Sequence, residues 1–165
     1  VAKAKPGAHP TYAADSGVAA MREETGDLWS FYQAGEWVVI PTNGSVRRDG
    51  ACVMGRGLAL DTKVRFPHLP ELLGEYIKRY GNIPFCFIPE HIITFPVKRH
   101  WYEMANLALI GTSASHLADL WIYQQNLLLP RVGCGNGRLD WRDVKPTLEA
   151  YLDDRFIVVE KNALK

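Results

Sequence analysis

The apolar positions of the chain fall into short runs that alternate with stretches of helical periodicity. Five runs are β-branched, aromatic or leucine-rich and are bounded by turn residues, which predicts strands, several of them buried on both faces. These strands are expected at residues 36–40, 85–88, 92–95, 127–129 and 156–159. Because strands that alternate with helices form parallel sheets, the pattern predicts an α/β fold whose mainly parallel sheet is covered on both sides.

The segments between the predicted strands carry helix signals. Apolar residues repeat at helical spacing between Pro70 and Gly81, which are typical first-turn and end residues of a helix. A second helix is predicted to follow Asp140 as its N-cap. A third is predicted within residues 106–123.

Length and composition bound the class of protein. A chain of 165 residues has room for one domain. We place that domain at residues 21–165 and interpret residues 1–20, which are rich in Ala, Gly and Pro, as an N-terminal extension or linker. No apolar run approaches the roughly 20 residues of a membrane helix, so we expect a soluble protein. The formal net charge of +1 means that any contact with nucleic acid depends on a local patch.

The cysteines indicate a reducing compartment. Cys52, Cys86 and Cys134 are odd in number, contain no CxxC pair and have no histidine at metal-ligand spacing. We interpret them as reduced thiols of a cytoplasmic protein.

Two glycine-rich segments are candidates for phosphate binding. Residues 53–60 run from a loop into a predicted helix, and residues 133–138 directly follow a predicted strand. Glycines let backbone amides approach a phosphate closely, and a helix N-terminus adds N–H groups and a favourable dipole. Neither segment matches a GK[ST] loop or a complete GxGxxG fingerprint. Each segment alone is weak evidence, because glycines at strand ends more often only form turns.

The order of the motifs resembles that of the macrodomain superfamily. Gly-Asp-Leu at 26–28, a strand ending in Thr-Asn at 42–43, the two glycine segments and Leu-Asp-Trp at 139–141 cover nearly everything from about Met21 to Glu160. Within the superfamily the chain looks most like the branch of the terminal ADP-ribose glycohydrolase and the DarG antitoxin, which removes ADP-ribose from DNA. Residues 93–101 are similar to a stretch characteristic of DarG. The resemblance implies a three-layer α/β/α macrodomain with a central mixed, mainly parallel sheet.

The resemblance implies a set of residues around ADP-ribose. Asp27 would accept from the adenine amine, and Asn43 would face the distal ribose; a capping Asp27 and a turn-forming Asn43 are the alternatives. The implied ADP-ribose-binding residues are Asp27, Leu28, Asn43, Met54, Gly55, Arg56, Gly57, Leu58, Pro130, Gly133, Cys134, Gly135, Asn136, Gly137 and Arg138. No cofactor and no metal are implied.

Lys63 is the catalytic residue that the resemblance implies. If a helix begins near Gly57, Lys63 lies one turn beyond Ala59, and helical side chains lean toward the N-terminus. Its amine would then attack C1″ of the opened distal ribose as a Schiff-base nucleophile, or polarise that centre. Such an amine must be partly neutral, which burial or a neighbouring Arg56 or Arg65 would favour. Without the resemblance, a lysine on a helix is usually a solvated surface group.

Two departures bear on the modified target, and the first of them weakens a protein-glutamate substrate and leaves DNA. The terminal glycohydrolase has an acid–base aspartate where this chain, like the DarG-like proteins, has Gly137. The insertion at 44–50 would lie near the distal ribose, where it would shape access or contact a strand of nucleic acid; a surface excursion is the alternative. Lys98, Arg99, His100 and Trp101 are possible DNA contacts; alternatively Trp101 is a core residue and the charges are solvated.

The sequence therefore predicts a DNA ADP-ribosyl glycohydrolase, a hydrolase that binds ADP-ribose and acts on ADP-ribosylated single-stranded DNA. A reader that only binds ADP-ribose, an ADP-ribose 1″-phosphate phosphatase and a nucleic-acid-binding module remain alternatives. Whether a cognate ADP-ribosyltransferase toxin is a partner stays open, and no membrane is implied.

Overall fold

A six-stranded sheet runs through the centre of the domain. In the computed structural model, which describes residues 19–162, the strands and helices alternate along most of the chain. In chain order they are β1 (Arg22–Thr25), α1 (Leu28–Gln33), β2 (Trp37–Asn43), α2 (Gly57–Arg65), α3 (Leu69–Tyr80), β3 (Cys86–Phe87), β4 (Ile92–Lys98), α4 (Leu107–Leu120), β5 (Leu127–Pro130), α5 (Trp141–Glu149) and β6 (Phe156–Glu160).

The strand order explains how distant segments meet. Across the sheet the order is β1-β6-β5-β2-β4-β3, and every neighbouring pair is parallel except β3 with β4, which is antiparallel. The predicted mixed, mainly parallel sheet is therefore confirmed. Four adjacent central strands, β6, β5, β2 and β4, end at the same edge of the sheet.

Apolar side chains cover both faces of the sheet. Val39 of β2 packs in a core cluster with residues of α4 and α5, whereas its neighbours Val38 and Ile40 pack in a second cluster with residues of α1 and α2. This alternation makes three layers, helix, sheet and helix, as the sequence predicted. Leu69 and Leu73 of α3 form a smaller third cluster.

The helix at 70–81, the helix after Asp140 and the helix within 106–123 are confirmed, with α4 ending at Leu120. The strand predicted at 85–88 is reduced to two residues. The sequence missed β1, whose four residues are all exposed, and α1, which has only six residues. Neither segment carries the apolar run or the long periodicity on which the prediction depends.

Residues 1–18 of the predicted N-terminal extension lie outside the described residues. At its end, Ala20 forms an isolated antiparallel bridge with Asp153. Over residues 19–162, no helix combines the length and the apolar character needed to cross a membrane.

Candidate ligand-binding site

A cavity of about 990 Å³ opens at the edge of the sheet where the central strands end. Residues at or just beyond the carboxyl ends of β2, β4, β5 and β6 line it, together with the start of α2 and the segment between β5 and α5. Open α/β sheets bind ligands in crevices outside the carboxyl ends of their strands, and pockets of roughly 300–1,000 Å³ are usual for small molecules and cofactors. Both the place and the size fit a nucleotide-like ligand.

The two glycine segments face each other across this cavity. Gly55, Gly57, Gly133 and Gly135 all contribute to its lining. A side-chain carbon added at Gly57 would lie 3.0 Å from the side-chain nitrogen of Asn136, so the two segments nearly touch. The fold thus brings the two segments together as walls of one cavity, residues 53–60 as the first glycine wall and residues 133–138 as the second glycine wall.

Helix α2 begins at Gly57 with its N-terminus at the cavity. No side chain of the described residues caps this end, so its first-turn N–H groups remain available to a ligand. Gly57 itself has φ +55°, a conformation that L side chains rarely adopt. A helix N-terminus of this kind attracts an anionic group such as a phosphate.

Gly137 leaves no room for a side chain. A Cβ at this position would collide with the carbonyl oxygen of Gly133 and lie 2.7 Å from the Cβ of Ala105. An acid–base aspartate could therefore not stand here without a shift of the loop. The chemistry of this site must come from another residue.

Gly137→Ala is expected to lower the free energy of unfolding by about 1–3 kcal/mol, the usual cost of overpacking a tight site. Gly135→Ala is the matched control, because an added Cβ at Gly135 meets no described atom within 4 Å. Chemical denaturation of both variants measures the difference. Equal unfolding free energies for the two variants would contradict the packing argument.

Lys98, at the carboxyl end of β4, is a half-buried cation in the lining of the cavity, as is Arg131. Its Nζ lies 3.4 Å from the carbonyl oxygens of both Trp101 and Asn136. Burial, followed by the charges of Arg56 and Arg138, lowers the pKa of Lys98 from its ordinary value. A lysine with a lowered pKa in a ligand cavity is a candidate nucleophile or electrophilic catalyst.

Lys63 does not occupy the position that the sequence predicted for it. It is exposed on α2, and the cavity lining within residues 19–162 does not include it. Helix α2 buries Thr62 and packs Leu58 and Ala59 against the core, whereas Lys63, one turn beyond Ala59, is exposed. The expected reach of the Lys63 amine into the cleft is therefore corrected, and a catalytic role of Lys63 stays untested.

Asp27 caps α1 at the opposite end of the cavity. Its Oδ2 accepts from the backbone N–H and the hydroxyl of Ser30, which matches the capping alternative. The preceding Gly26 N–H donates to the carbonyl oxygen of Glu160, a cavity residue, so Asp27 adjoins this end of the site. Its contact with adenine stays a prediction.

Arg131 and Trp141 form the wall at the same end. The Arg131 guanidinium lies 3.1 Å from Glu160 and 5.1 Å from the centre of the Trp141 ring. The Trp141 Nε1 donates to Glu23, which also pairs with Lys145. Trp141 therefore lines the cavity and also packs at the start of α5. The sequence prediction included neither Arg131 nor Trp141 among the ligand residues.

The side chain of Asn43 stabilises the turn that follows β2. Its Nδ2 donates to the carbonyl oxygen of Val53, and its Oδ1 accepts from the backbone N–H of Ser45. Asn43 lines the cavity, but its polar groups serve the turn that was the alternative explanation. The insertion at 44–50 leaves the sheet through this turn and contacts Trp101 through the Ser45 hydroxyl.

The segment after Lys98 forms an exposed rim. Trp101 is 51% exposed and lines the cavity, so the alternative of a core tryptophan is wrong. Tyr102 is also exposed and stacks on His100, with ring centroids 5.5 Å apart. Arg99 and His100 are exposed but lie outside the described cavity lining.

The remaining predicted ligand residues divide into two groups. Arg56, Leu58, Pro130, Cys134 and Asn136 line the cavity. Leu28 and Met54 are instead buried in core clusters, and Arg138 is exposed beside the cavity with φ +64°. The side chains of Leu28 and Met54 therefore pack in the core, and a contact of either residue with the ligand stays a prediction.

Cys134 is not activated as a nucleophile. Burial raises the pKa of its thiol, which outweighs the opposite effect of Arg131. Over the described part of the chain, no group of three or more His, Cys, Asp or Glu side chains is arranged to hold a metal ion.

The amino-acid sequence of the chain is similar to those of proteins with named activities. No model of a protein family matches the chain. The chain is 36% identical over 109 residues to a Mycobacterium tuberculosis protein named DNA ADP-ribosyl glycohydrolase. The match covers 58% of this chain and 30% of that protein. The chain is 26% identical over 135 residues to a Thermosipho africanus protein named DNA ADP-ribosyl transferase-DNA ADP-ribosyl glycohydrolase fusion protein, which covers 66% of this chain and 34% of the relative. The chain thus spans about a third of these curated relatives.

Among solved structures, the chain is similar to the macrodomain of Mycobacterium tuberculosis DarG. The TM-score is 0.71 and the sequence identity is 29%, and the match covers 88% of this chain and 99% of that structure. The likeness therefore extends over a whole domain of known architecture.

Proposed function

Because the chain is a macrodomain that belongs with those of the DarG branch, we propose that it binds ADP-ribose and hydrolyses the bond that joins ADP-ribose to DNA. One observation carries the proposal: the two glycine segments and the half-buried Lys98 line the same cavity. The backbone amides of the walls suit the diphosphate. Lys98 then stands beside the distal ribose, and Asp27 and Trp141 beside the adenine.

We place the chemistry on Lys98 rather than on Lys63. The neutral amine of Lys98 attacks C1″ of the distal ribose, and the bond from C1″ to the DNA base breaks with its electron pair going to the base. The base takes up the proton that the amine loses. Water then hydrolyses the lysine adduct, which releases ADP-ribose and restores the amine. Gly137 supplies no acid, so the proton transfers depend on Lys98 and water.

The test incubates the protein with an ADP-ribosylated single-stranded oligonucleotide and measures the release of ADP-ribose by chromatography. Two separate incubations replace the oligonucleotide, one with an ADP-ribosylated protein and one with ADP-ribose 1″-phosphate. We expect release from the oligonucleotide. Tight binding of ADP-ribose without release from any substrate would leave a reader, and release of inorganic phosphate would make the protein a phosphatase.

The pH dependence of turnover follows from the environment of Lys98. A neutral amine is needed, so turnover rises with pH as Lys98 loses its proton, and the lowered pKa of Lys98 places this rise below the usual lysine value of about 10.4. Arg138→Gln removes a neighbouring positive charge, which raises the pKa of Lys98 and moves the rise to higher pH. Single-turnover rates between pH 6 and 10 measure the shift. Arg142→Gln, a cation paired with Asp140, is the control and should leave the profile in place.

We place the DNA strand on the rim at Trp101. Stacking of one base on an aromatic side chain is worth about 1–3 kcal/mol, so Trp101→Ala should raise KM for the modified oligonucleotide roughly five- to hundredfold. Affinity for free ADP-ribose, measured by calorimetry, should change little. Tyr80→Ala removes an exposed aromatic ring outside the described cavity lining and serves as control. Equal effects of the two substitutions would remove Trp101 from the DNA path.

We further propose that a DNA ADP-ribosyltransferase supplies the substrate in the cytoplasm. The fused relative, which joins the two named activities in one protein, supports this pairing. Co-expression with such a transferase should restore the growth that the transferase alone arrests. A Lys98→Ala variant should fail to restore it.

A further inference from the structure

The pairing of β2 with β4 changes register at the cavity. Thr42 pairs with Pro96, but Asn43 pairs with Lys98 rather than with Val97. Strand β4 therefore contains one additional residue, a β-bulge, beside the site. Bulges redirect side chains and are frequent next to active sites. Here the bulge brings Lys98 to the position that a regular ladder would give to Val97.

The carbonyl groups of the bulged segment are each held by a hydrogen bond. The hydroxyl of Ser113 donates to the Pro96 oxygen at 2.7 Å, and the backbone N–H of Asn106 donates to the Val97 oxygen at 2.8 Å. The Lys98 oxygen accepts from the backbone N–H of Gly44 at 3.1 Å and from Nδ2 of Asn82 at 3.0 Å. Asn82 is thus the side chain that binds the backbone of Lys98 directly.

Asn82 lies in the loop between α3 and β3, and its amide is only half satisfied. Its Oδ1 is buried and has no hydrogen-bond partner among residues 19–162. Burying an amide oxygen without a partner costs about 1–3 kcal/mol. The orientation is nevertheless determined, because only Nδ2 can donate to the Lys98 carbonyl. An apolar residue would avoid this cost, so the fold gains little stability from Asn82.

Both ends of Lys98 are consequently held. Asn82 and Gly44 hold its carbonyl group, and the carbonyl oxygens of Trp101 and Asn136 lie within 3.4 Å of its Nζ. Asn136 belongs to the second glycine wall, so the amine spans from β4 to the loop that follows β5. A small movement of the bulge would displace the amine from this place.

We propose that Asn82 is a positioning residue that fixes the β4 bulge and thereby holds the Lys98 amine at the ribose-side end of the cavity. The inference rests on the proposed function for the chemical role of Lys98. The position of Lys98 can be measured without turnover.

The test compares Asn82→Ala and Asn82→Leu with Asn126→Ala. Asn82→Leu keeps the approximate shape of the side chain and guards against misfolding of the smaller variant. Asn126→Ala removes a comparable side-chain hydrogen bond, which Asn126 accepts from Arg22, and Asn126 is outside the described cavity lining. Competitive labelling with acetic anhydride between pH 6 and 10, followed by mass spectrometry, measures the titration of Lys98 in each folded protein. Thermal melting, kcat and KM on the modified oligonucleotide are measured on the same samples.

In both Asn82 variants the titration of Lys98 should shift to higher pH, because the amine relaxes toward solvent and away from Arg56 and Arg138. The kcat should fall about ten- to hundredfold, the range that a displacement of roughly 1 Å can cause, with KM within about twofold. Asn126→Ala should change neither quantity. An unchanged Lys98 titration in the Asn82 variants would overturn the proposal, as would a loss of melting temperature with normal kcat. If the wild-type protein releases no ADP-ribose, the proposed function fails, and the labelling still decides the role of Asn82.

Discussion

Lys98→Ala is expected to slow release of ADP-ribose from DNA by about a hundredfold or more, the lower end of what acid–base or nucleophilic groups usually contribute. Lys98 lines the cavity, has a lowered pKa and lies between the two sets of cavity loops. Lys63→Ala is the matched control, since it removes the same side chain from an exposed position outside the described lining. Single-turnover assays on a modified oligonucleotide measure both rates, and calorimetry with ADP-ribose separates binding from chemistry.

A second substitution distinguishes an attacking amine from a fixed positive charge. Lys98→Arg keeps the charge but cannot become neutral, because a guanidinium does not deprotonate in proteins. If the amine attacks C1″, Lys98→Arg should be as slow as Lys98→Ala. In the ring-opened form the adduct is an imine, so borohydride should attach ADP-ribose to Lys98 permanently. Full activity of Lys98→Ala together with an inactive Lys63→Ala would return the catalytic role to Lys63.

The proposed catalytic role of Lys98 depends on the order of the strands, which spacing along a helix does not reveal. Lys63 lies six residues beyond Gly57, whereas Lys98 is 41 residues away in the chain. The sheet order places β4 beside β2, which brings Lys98 to the same edge as both glycine segments. One sequence signal could have found it: a charged residue that directly ends a buried apolar strand of a parallel sheet points to the ligand edge.

The fold was more predictable than the side chains of the site. Two-sided burial of β2, β4, β5 and β6 leaves continuous short apolar runs, so their places could be predicted from the pattern of apolar residues. The edge strand β1 could not, because its four residues are exposed and it depends on pairing with β6. Likewise the short α1 is stabilised by the Asp27 cap and by burial of Leu28 and Trp29 rather than by periodicity.

Among the residues that line the cavity, the glycines of the two segments were easier to predict than the side chains. Glycines report where the main chain must come close, and their spacing survives in the sequence. The cavity wall at Arg131 and Trp141 depends instead on ion pairs between β1, β6 and the loop after β5. The contacts of Glu23 with Arg131 and Trp141 join residues more than 100 positions apart and leave no local pattern.

Gly57→Ala should weaken binding of ADP-ribose about ten- to hundredfold. The backbone of Gly57 is left-handed, and a Cβ there would press on the Asn136 side chain 3.0 Å away, so the first turn of α2 must shift. Hydrogen bonds to charged groups contribute roughly 1.5–3 kcal/mol, which for one lost amide–phosphate bond corresponds to this loss of affinity. Calorimetry with ADP-ribose measures it directly.

Gly35→Ala separates the backbone cost from the loss of the ligand contact. Gly35 is also left-handed, with φ +102°, but an added Cβ meets no described atom within 4 Å and the residue is outside the described cavity lining. Both substitutions should therefore lower the unfolding free energy by about 1–2 kcal/mol, the cost of a left-handed residue other than glycine. Only Gly57→Ala should lose affinity for ADP-ribose. If the two variants bind ADP-ribose equally well, the segment at residues 53–60 does not bind the diphosphate. The segment after β5 would then bind the diphosphate without it.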